Sequence, residues 1–167
     1  IFVVWQARRL TAAAALGALV LSTAVAMAMP AVLQPDIRAS ASTEVIPWTA
    51  FDRAAIPRLV AGGETVFLDI TADWCLTCKA NKTLVIDRSP VADRLAGPGV
   101  IPMLADWTRP DPAIQAFLES HGRYGIPFNM VFGPSAPEGI ALPEVLTTDA
   151  VLSAIDAASG QVAAVRQ

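Results

Sequence analysis

Metal-binding side chains are scarce in this chain: two cysteines, Cys75 and Cys78, and one histidine, His121, among 167 residues. Structural zinc takes four ligands, so this set excludes a structural zinc centre. The formal net charge is −3, and no basic stretch is interleaved with aromatics, so nothing favours nucleic acid as a partner. Charged residues make up only 16% of the chain and hydrophobic ones 54%, above the usual range of roughly 45–50% for soluble domains. The excess is concentrated at the front. Residues 10–33 carry no charge, with Arg8-Arg9 before them and Asp36 soon after.

The two cysteines lie in Val66-Phe67-Leu68-Asp69-Ile70-Thr71-Ala72-Asp73-Trp74-Cys75-Leu76-Thr77-Cys78-Lys79. Val66 to Ile70 is a short apolar, β-branched run of the kind that forms a buried strand, and helix formers follow from Lys79. Cys75 is therefore expected in the first turn of a helix. Unpaired N–H groups and the positive end of the helix dipole stabilise a thiolate there. Cys78, one turn on, is placed to attack a mixed disulfide formed on Cys75. The predicted unit is a two-electron dithiol–disulfide switch with no cofactor beyond the cysteine pair and no metal. A purely structural bridge at this spacing would close a very short loop and constrain the unfolded chain little.

Two further positions bear on that chemistry. Asp69, set in an apolar strand, would be desolvated and its pKa raised, fitting it to relay the proton of Cys78. The other reading turns Asp69 to solvent by strand alternation. Trp74 either shields Cys75, presents a flat docking surface, or packs.

Ala72-Asp73-Trp74-Cys75-Leu76-Thr77-Cys78-Lys79, with Asp69 six positions before the first cysteine and Gly125-Ile126-Pro127 about fifty residues after it, resembles the thioredoxin superfamily. More narrowly it is similar to the C-terminal periplasmic domain of the DsbD family of thiol:disulfide interchange proteins and their copper-tolerance relatives. Ala105-Asp106-Trp107-Thr108, Gly122-Arg123-Tyr124-Gly125-Ile126-Pro127 and Leu142-Pro143-Glu144-Val145-Leu146-Thr147 carry that narrower match. The resemblance runs from about Trp48 to Ala158. It implies a thioredoxin fold in which Cys75 attacks, Cys78 resolves, Asp69 is the buried acid and Pro127 is a cis-proline facing the disulfide. It also implies an electron donor in the form of a membrane-embedded cysteine pair, and acceptors that are periplasmic thioredoxin-like or disulfide-isomerase proteins. Relatives often carry an acid about one turn beyond the second cysteine. Here that turn reads Ala80-Asn81-Lys82, and a lysine shifts a thiol pKa the other way.

The uncharged run 10–33 is long enough to cross a hydrocarbon core of about 30 Å as a helix. Arg8 and Arg9 place its start in the cytoplasm, so the following chain emerges in the bacterial periplasm, where disulfide chemistry takes place. Residues 1–9 read as the cytoplasmic flank, 10–33 as a transmembrane helix, 34–47 as a Pro- and Ser-containing linker and 48–167 as the thioredoxin-like domain. Three readings of 10–33 stay open: the last helix of a larger inner-membrane protein, a lone anchor, or a signal peptide cleaved near Ala26-Met27-Ala28. The opening on Ile1 and its apolar neighbours favours a fragment of something longer.

Further along, helical spacing from Trp48 to Leu59 predicts a helix ended by Gly62-Gly63, with Pro57 awkward in its interior. Ser89-Pro90 is expected to cap a short helix through Leu95, and Gly97-Pro98-Gly99 to form a turn. A strand spans Val100 to Ala105, and Asp111-Pro112 opens a helix through Glu119 with Ile114, Phe117 and Leu118 facing inward. His121 reads as a solvated cap of that helix. Phe128 to Phe132 is a strand, Ile140 to Leu146 a short edge strand containing Pro143, and Thr148 or Asp149 caps a last helix. The order βαβ then ββα makes an α/β domain with a central mixed sheet flanked by helices. Since both Ala72-Asp73-Trp74 and Ala105-Asp106-Trp107 end strands, Trp107 lies either beside the cysteines or packed under its own loop. Trp74, Trp107 and Ile126 are the candidate docking residues.

The leading expectation is a membrane-tethered protein-disulfide reductase. A single-anchor thioredoxin-like protein of cytochrome c maturation is the second reading. A copper-binding module using the two thiolates is the third.

Overall fold

The structure, a computed structural model, describes residues 45–160. The expected cytoplasmic flank 1–9, the membrane segment 10–33 and the linker up to residue 44 lie outside the described residues, as do residues 161–167. Among the described residues no helix is long and apolar enough to cross a membrane. The end of the expected linker is already part of the fold, because Ile46 is buried in the core and its carbonyl accepts from the Trp48 N–H.

Five strands make one mixed sheet. They are β1 (Thr49–Ala50), β2 (Thr65–Thr71), β3 (Val100–Asp106), β4 (Phe128–Gly133) and β5 (Ala136–Ala141), in the spatial order β1-β3-β2-β4-β5. β3 runs parallel to both β1 and β2, whereas β4 is antiparallel to β2 and β5. The helices are α1 (Ala55–Ala61), α2 (Leu76–Asn81), α3 (Val91–Ala96), α4 (Pro112–Ser120) and α5 (Thr148–Ser159), with a π-helical turn at Lys82–Ile86 continuing α2.

The central strand β2 explains the layering. Its side chains alternate between two cores: Val66, Leu68 and Ile70 pack with Ile56 and Val60 of α1 and Ile114, Phe117 and Leu118 of α4. Phe67 packs on the other face with Val85, Ile86, Leu95 and, from α5, Val151 and Ile155. Both faces being covered, β2 reads as a nearly continuous apolar run rather than an alternating one. The mixed sheet with helices on both faces is the expected architecture.

Four local expectations are corrected. The helix expected from Trp48 is preceded by β1: Thr49 and Ala50 pair with Met103 and Leu104. The apolar residues that suggested helical spacing are shared between that short strand and α1. Pro57 is the third residue of α1, in a first turn whose N–H groups have no intrahelical acceptor, so its missing donor costs nothing. The edge strand lies at Ala136–Ala141, not at Ile140 to Leu146, leaving Pro143 beyond it. Pro137 is tolerated because β5 has an unpaired outer side. The caps shift by one residue: Pro90 itself occupies the N-cap of α3 after a cis Ser89-Pro90 bond, and Thr147 caps α5 by accepting from the Ala150 N–H. Asp111 caps α4 as expected, accepting from the N–H groups of Ala113 and Ile114.

One close approach fixes α5 on the sheet. A Cβ added at Gly133 would lie 2.4 Å from the Ala158 carbonyl oxygen, backbone that cannot swing aside. Gly133→Ala is therefore expected to destabilise the domain by about 1–3 kcal/mol, the usual cost of forcing a methyl into a packed contact. Urea unfolding measures this, and an unchanged midpoint would show that α5 is free to shift.

Candidate functional site

The site is built at the carboxyl end of β2. The strand ends at Thr71, whose carbonyl accepts from the Trp107 N–H at 2.7 Å. The next turn is held by Thr108, whose hydroxyl accepts from the Asp73 N–H at 2.9 Å. Cys75 is the N-cap of α2, not a residue of its first turn, and its sulfur accepts from the Cys78 N–H at 3.1 Å. That bond places a backbone donor of the helix start directly on the sulfur, the arrangement that favours a thiolate once the pair is reduced. Cys75 and Cys78 are joined in a disulfide with 5.3 Å between their Cα atoms. Both are buried, and together with Ala72 they form a small cluster against which Ile126 packs. Ile126 precedes Pro127 through a cis bond, the isomer implied by the resemblance.

Asp69 is in the core. Strand alternation puts it on the Phe67 side of β2, which the π-helical turn, α3 and α5 cover, so alternation does not lead to solvent. Across the sheet Asp69 pairs with Asn129 of β4, whose Nδ2 donates to Asp69 Oδ1 at 2.8 Å. Burial pushes the carboxyl from its ordinary 3.8 up to about 6, against smaller downward effects of the Asn129 hydrogen bond and the Lys82 charge and a small upward one of Asp87. Lys82 forms an ion pair with Asp87 at 3.0 Å and lies 5.2 Å above the Trp48 ring.

The remaining expected residues separate. Trp74 is exposed beside Cys75. Trp107 is half-buried and packs against the α1–α4 core, not in the cysteine cluster. It lines a cleft of about 250 Å³ with Leu118, Arg123 and Tyr124. His121 caps α4 as expected but is half-buried rather than solvated, its ring 4.4 Å from that of Phe117 and its Nδ1 2.9 Å from the Phe117 carbonyl oxygen. Among the described residues no group of three or more His, Cys, Asp or Glu could hold a metal. The redox couple belongs to the protein itself.

Two buried asparagines escaped the sequence reading. Asn129 interrupts the apolar run Phe128-Asn-Met-Val-Phe as Asp69 interrupts its own strand, and two polar breaks in neighbouring strands are a legible sign of a buried pair. Asn81 carried no such sign, because an asparagine near the end of a helix usually faces water.

The sequence profile of the thioredoxin-like family matches residues 47–134, from the start of the fold through β4, the cysteine pair and Pro127 included. The chain belongs to the thioredoxin-like family. Thiol:disulfide interchange protein DsbD 1 of Pseudomonas aeruginosa is 32% identical over 85 residues, a match covering 51% of this chain and 14% of that protein. Among solved structures, a DsbH oxidoreductase aligns with a TM-score of 0.52 at 18% identity over 78% of this chain and 94% of its own. The reduced C-terminal domain of Neisseria meningitidis DsbD aligns with a TM-score of 0.49 at 22% identity, over 66% of this chain and 99% of that one.

The raised Asp69 pKa of this thioredoxin-like domain makes stability depend on pH with a definite sign. The folded value exceeds the unfolded one, so the folded state holds the proton more tightly. The stability this confers is complete below about pH 4 and is lost as pH rises through 6. The rise from 3.8 to about 6 corresponds to roughly 3 kcal/mol. Asp69→Asn keeps an oxygen acceptor for Asn129 and removes the charge. In the oxidised domain it is expected to change stability little at pH 4 and to stabilise by up to about 3 kcal/mol at pH 8. Urea titrations at the two pH values decide this, and a difference independent of pH would contradict an ionising, buried Asp69.

Proposed function

We propose that this thioredoxin-like domain is a protein-disulfide reductase working by thiol–disulfide exchange, tethered to the bacterial inner membrane with its redox site in the periplasm. The observation that carries the proposal is the Cys75–Cys78 bridge at the start of α2. The match to a thiol:disulfide interchange protein supports the exchange chemistry; the direction and the setting rest on the resemblance of the cysteine motif and its companion stretches to the DsbD family. Electrons arrive from a membrane-embedded cysteine pair and leave to periplasmic thioredoxin-like or disulfide-isomerase proteins.

In the exchange, the Cys75 thiolate attacks one sulfur of the acceptor's disulfide. That bond breaks, a mixed disulfide forms on Cys75, and the released acceptor thiolate takes up a proton. Cys78 then gives its proton to the Asp69 carboxylate and attacks the Cys75 sulfur. The bond between Cys75 and the acceptor breaks as the Cys75–Cys78 bond forms, the leaving thiolate takes up the proton that Asp69 releases, and the acceptor departs as a dithiol, having gained two electrons and two protons. Asp69 suits this step because its pKa of about 6 leaves it ionised yet moderately basic at neutral pH. Ile126 and Pro127 form the wall against which the acceptor's sulfur approaches, and Trp74 and Trp107 are further docking residues.

Direction is tested by the reduction potential of the Cys75–Cys78 couple, equilibrated against glutathione and read by thiol trapping. A value of about −270 mV or lower is expected of an electron donor, and one near −120 mV would make the domain a disulfide donor instead. The order of attack is tested separately. Cys78→Ser should accumulate a mixed disulfide through Cys75 when offered an oxidised acceptor, and Cys75→Ser should not. Equal trapping by both variants would overturn the assignment of nucleophile and resolving cysteine.

A further inference from the structure

Asn129 is an unfavourable residue for its position. It lies in β4 between Phe128 and Met130, only 1% exposed, with β2 on one side and β5 on the other. An amide buried in an apolar layer costs free energy unless it finds a hydrogen-bond partner. Its main-chain carbonyl already accepts from the Leu142 N–H, so the side chain is not needed to complete the sheet.

The reason for the amide lies across the sheet. Asn129 and Asp69 are directly opposed residues of antiparallel strands, so their side chains project from the same face. Phe67 and Val131, the next pair on that face, belong to the core that the π-helical turn, α3 and α5 cover. In that layer the Asn129 Nδ2 donates to Asp69 Oδ1 at 2.8 Å. β4 begins directly after the cis Ile126-Pro127 bond, so the segment that sets Ile126 against the disulfide also carries Asn129 to the acid.

Charged groups do little for this carboxyl. Lys82 and Asp87 act on it from the π-helical turn, but they pair with each other at 3.0 Å and both are partly exposed, so solvent screens them. Arg94 of α3 and Asp156 of α5 pair with each other at 4.0 Å. From α2 come Cys78 itself and the exposed Lys79. Burial raises the proton affinity of Asp69, and the largest effect opposing burial is the Asn129 bond. The main support for the ionised form is thus a neutral amide.

We infer that Asn129 is a positioning residue for proton transfer: its amide holds Oδ1 of Asp69 and keeps the carboxylate available as a base inside an apolar layer, so that Oδ2 receives the proton of Cys78. This rests on the exchange reading, in which Asp69 takes that proton, and it adds that the acid alone does not suffice. A carboxyl buried to the same depth without a donor would hold its own proton to higher pH and could not accept another. The amide restores basicity without bringing a charge, and it leaves one oxygen open.

The test follows both halves of the exchange in one stopped-flow trace. The reduced full chain is mixed with one equivalent of dithiobis(nitrobenzoate), and release of the coloured thionitrobenzoate anion is recorded across a range of pH. Attack by Cys75 releases the first anion and leaves the other in a mixed disulfide. Attack by Cys78 then forms the Cys75–Cys78 bond, breaks the mixed disulfide, releases the second anion and leaves the Cys78 proton on Asp69. The rate of the second release relative to the first is the readout, since a general loosening of the site slows both.

Asn129→Leu removes the donor at similar volume. The inflection of its pH profile is expected to move up by about one unit or more, the size of effect carried by a hydrogen bond to a charged group. Below the inflection the relative rate of the second release is then roughly tenfold lower, following the ionised fraction of the acid. Asn129→Asp keeps the shape and puts a second carboxyl in place of the donor. It is expected to move the inflection upward as well, because neighbouring carboxyls resist ionising together. If Asn129→Leu does not fold, Asn129→Asp decides alone. In an Asp69→Asn background the upward shift is expected to vanish. An inflection within about 0.3 unit of the unaltered chain, small beside the expected shift, overturns the inference. So does an upward shift that persists in the Asp69→Asn background, since Asn129 would then not act through Asp69. An unaltered chain that releases no second anion is a different result, and removes the exchange reading and this inference together.

Discussion

Strand β2 has a neighbour along each edge and a helical layer on each face, and the site depends on that enclosure. Its residues from Thr65 to Ile70 are all buried. A strand so confined has a single register, because a one-residue slip would exchange the two cores. The position of Thr71, and with it the turn that delivers Cys75, follows from that register. Cys75 needs no hydrogen bond of its own to the sheet. It is placed by the strand before it and the helix after it, and the Thr71–Trp107 and Asp73–Thr108 bonds keep the intervening turn from drifting.

The same enclosure gives the polar residues their character. A carboxyl in the middle of β2 is almost wholly buried, so burial dominates its proton affinity and the hydrogen bond from Asn129 offsets only part of the effect. Asn81 obeys the same rule with a different result: buried, it satisfies itself on the backbone of a surface loop and thereby orders that loop. Both side chains sit on rigid elements adjoining the redox pair in the chain. Asp69 lies on the strand before Cys75 and Asn81 on the helix that carries Cys78.

Much of this was legible in the chain. The run around Asp69 named a buried strand because apolar β-branched residues without alternation suit a strand covered on both faces. Asp111 named the start of α4 because a carboxylate before a proline can accept the unpaired N–H groups of a first turn. The illegible parts were those in which a short element borrowed its support from elsewhere. β1 is two residues long and exists only because β3 offers it an edge. β5 contains Pro137 and Gly139, which interrupt a strand pattern, so the edge strand was legible only from Ile140 onward, yet β4 holds Ala136–Ala141 as a strand. Asn81 gave no signal because its partners lie 63 and 65 positions away in the chain.

The sequence by itself determined the chemistry and the class of fold: two cysteines three positions apart between a strand and a helix, an acid six positions upstream, and an order of elements that builds a mixed sheet. These are local facts, set by spacing, capping and side-chain type. Only the tertiary structure decided which face of the sheet Asp69 occupies, that Asn129 answers it, that Trp107 belongs to the α4 side while Ile126 lies on the disulfide, and that Asn81 grips the loop before α5. Each of these is a contact between segments distant in the chain. Burial and hydrogen-bond satisfaction are properties of what surrounds a group, and the surroundings exist only once the chain has closed.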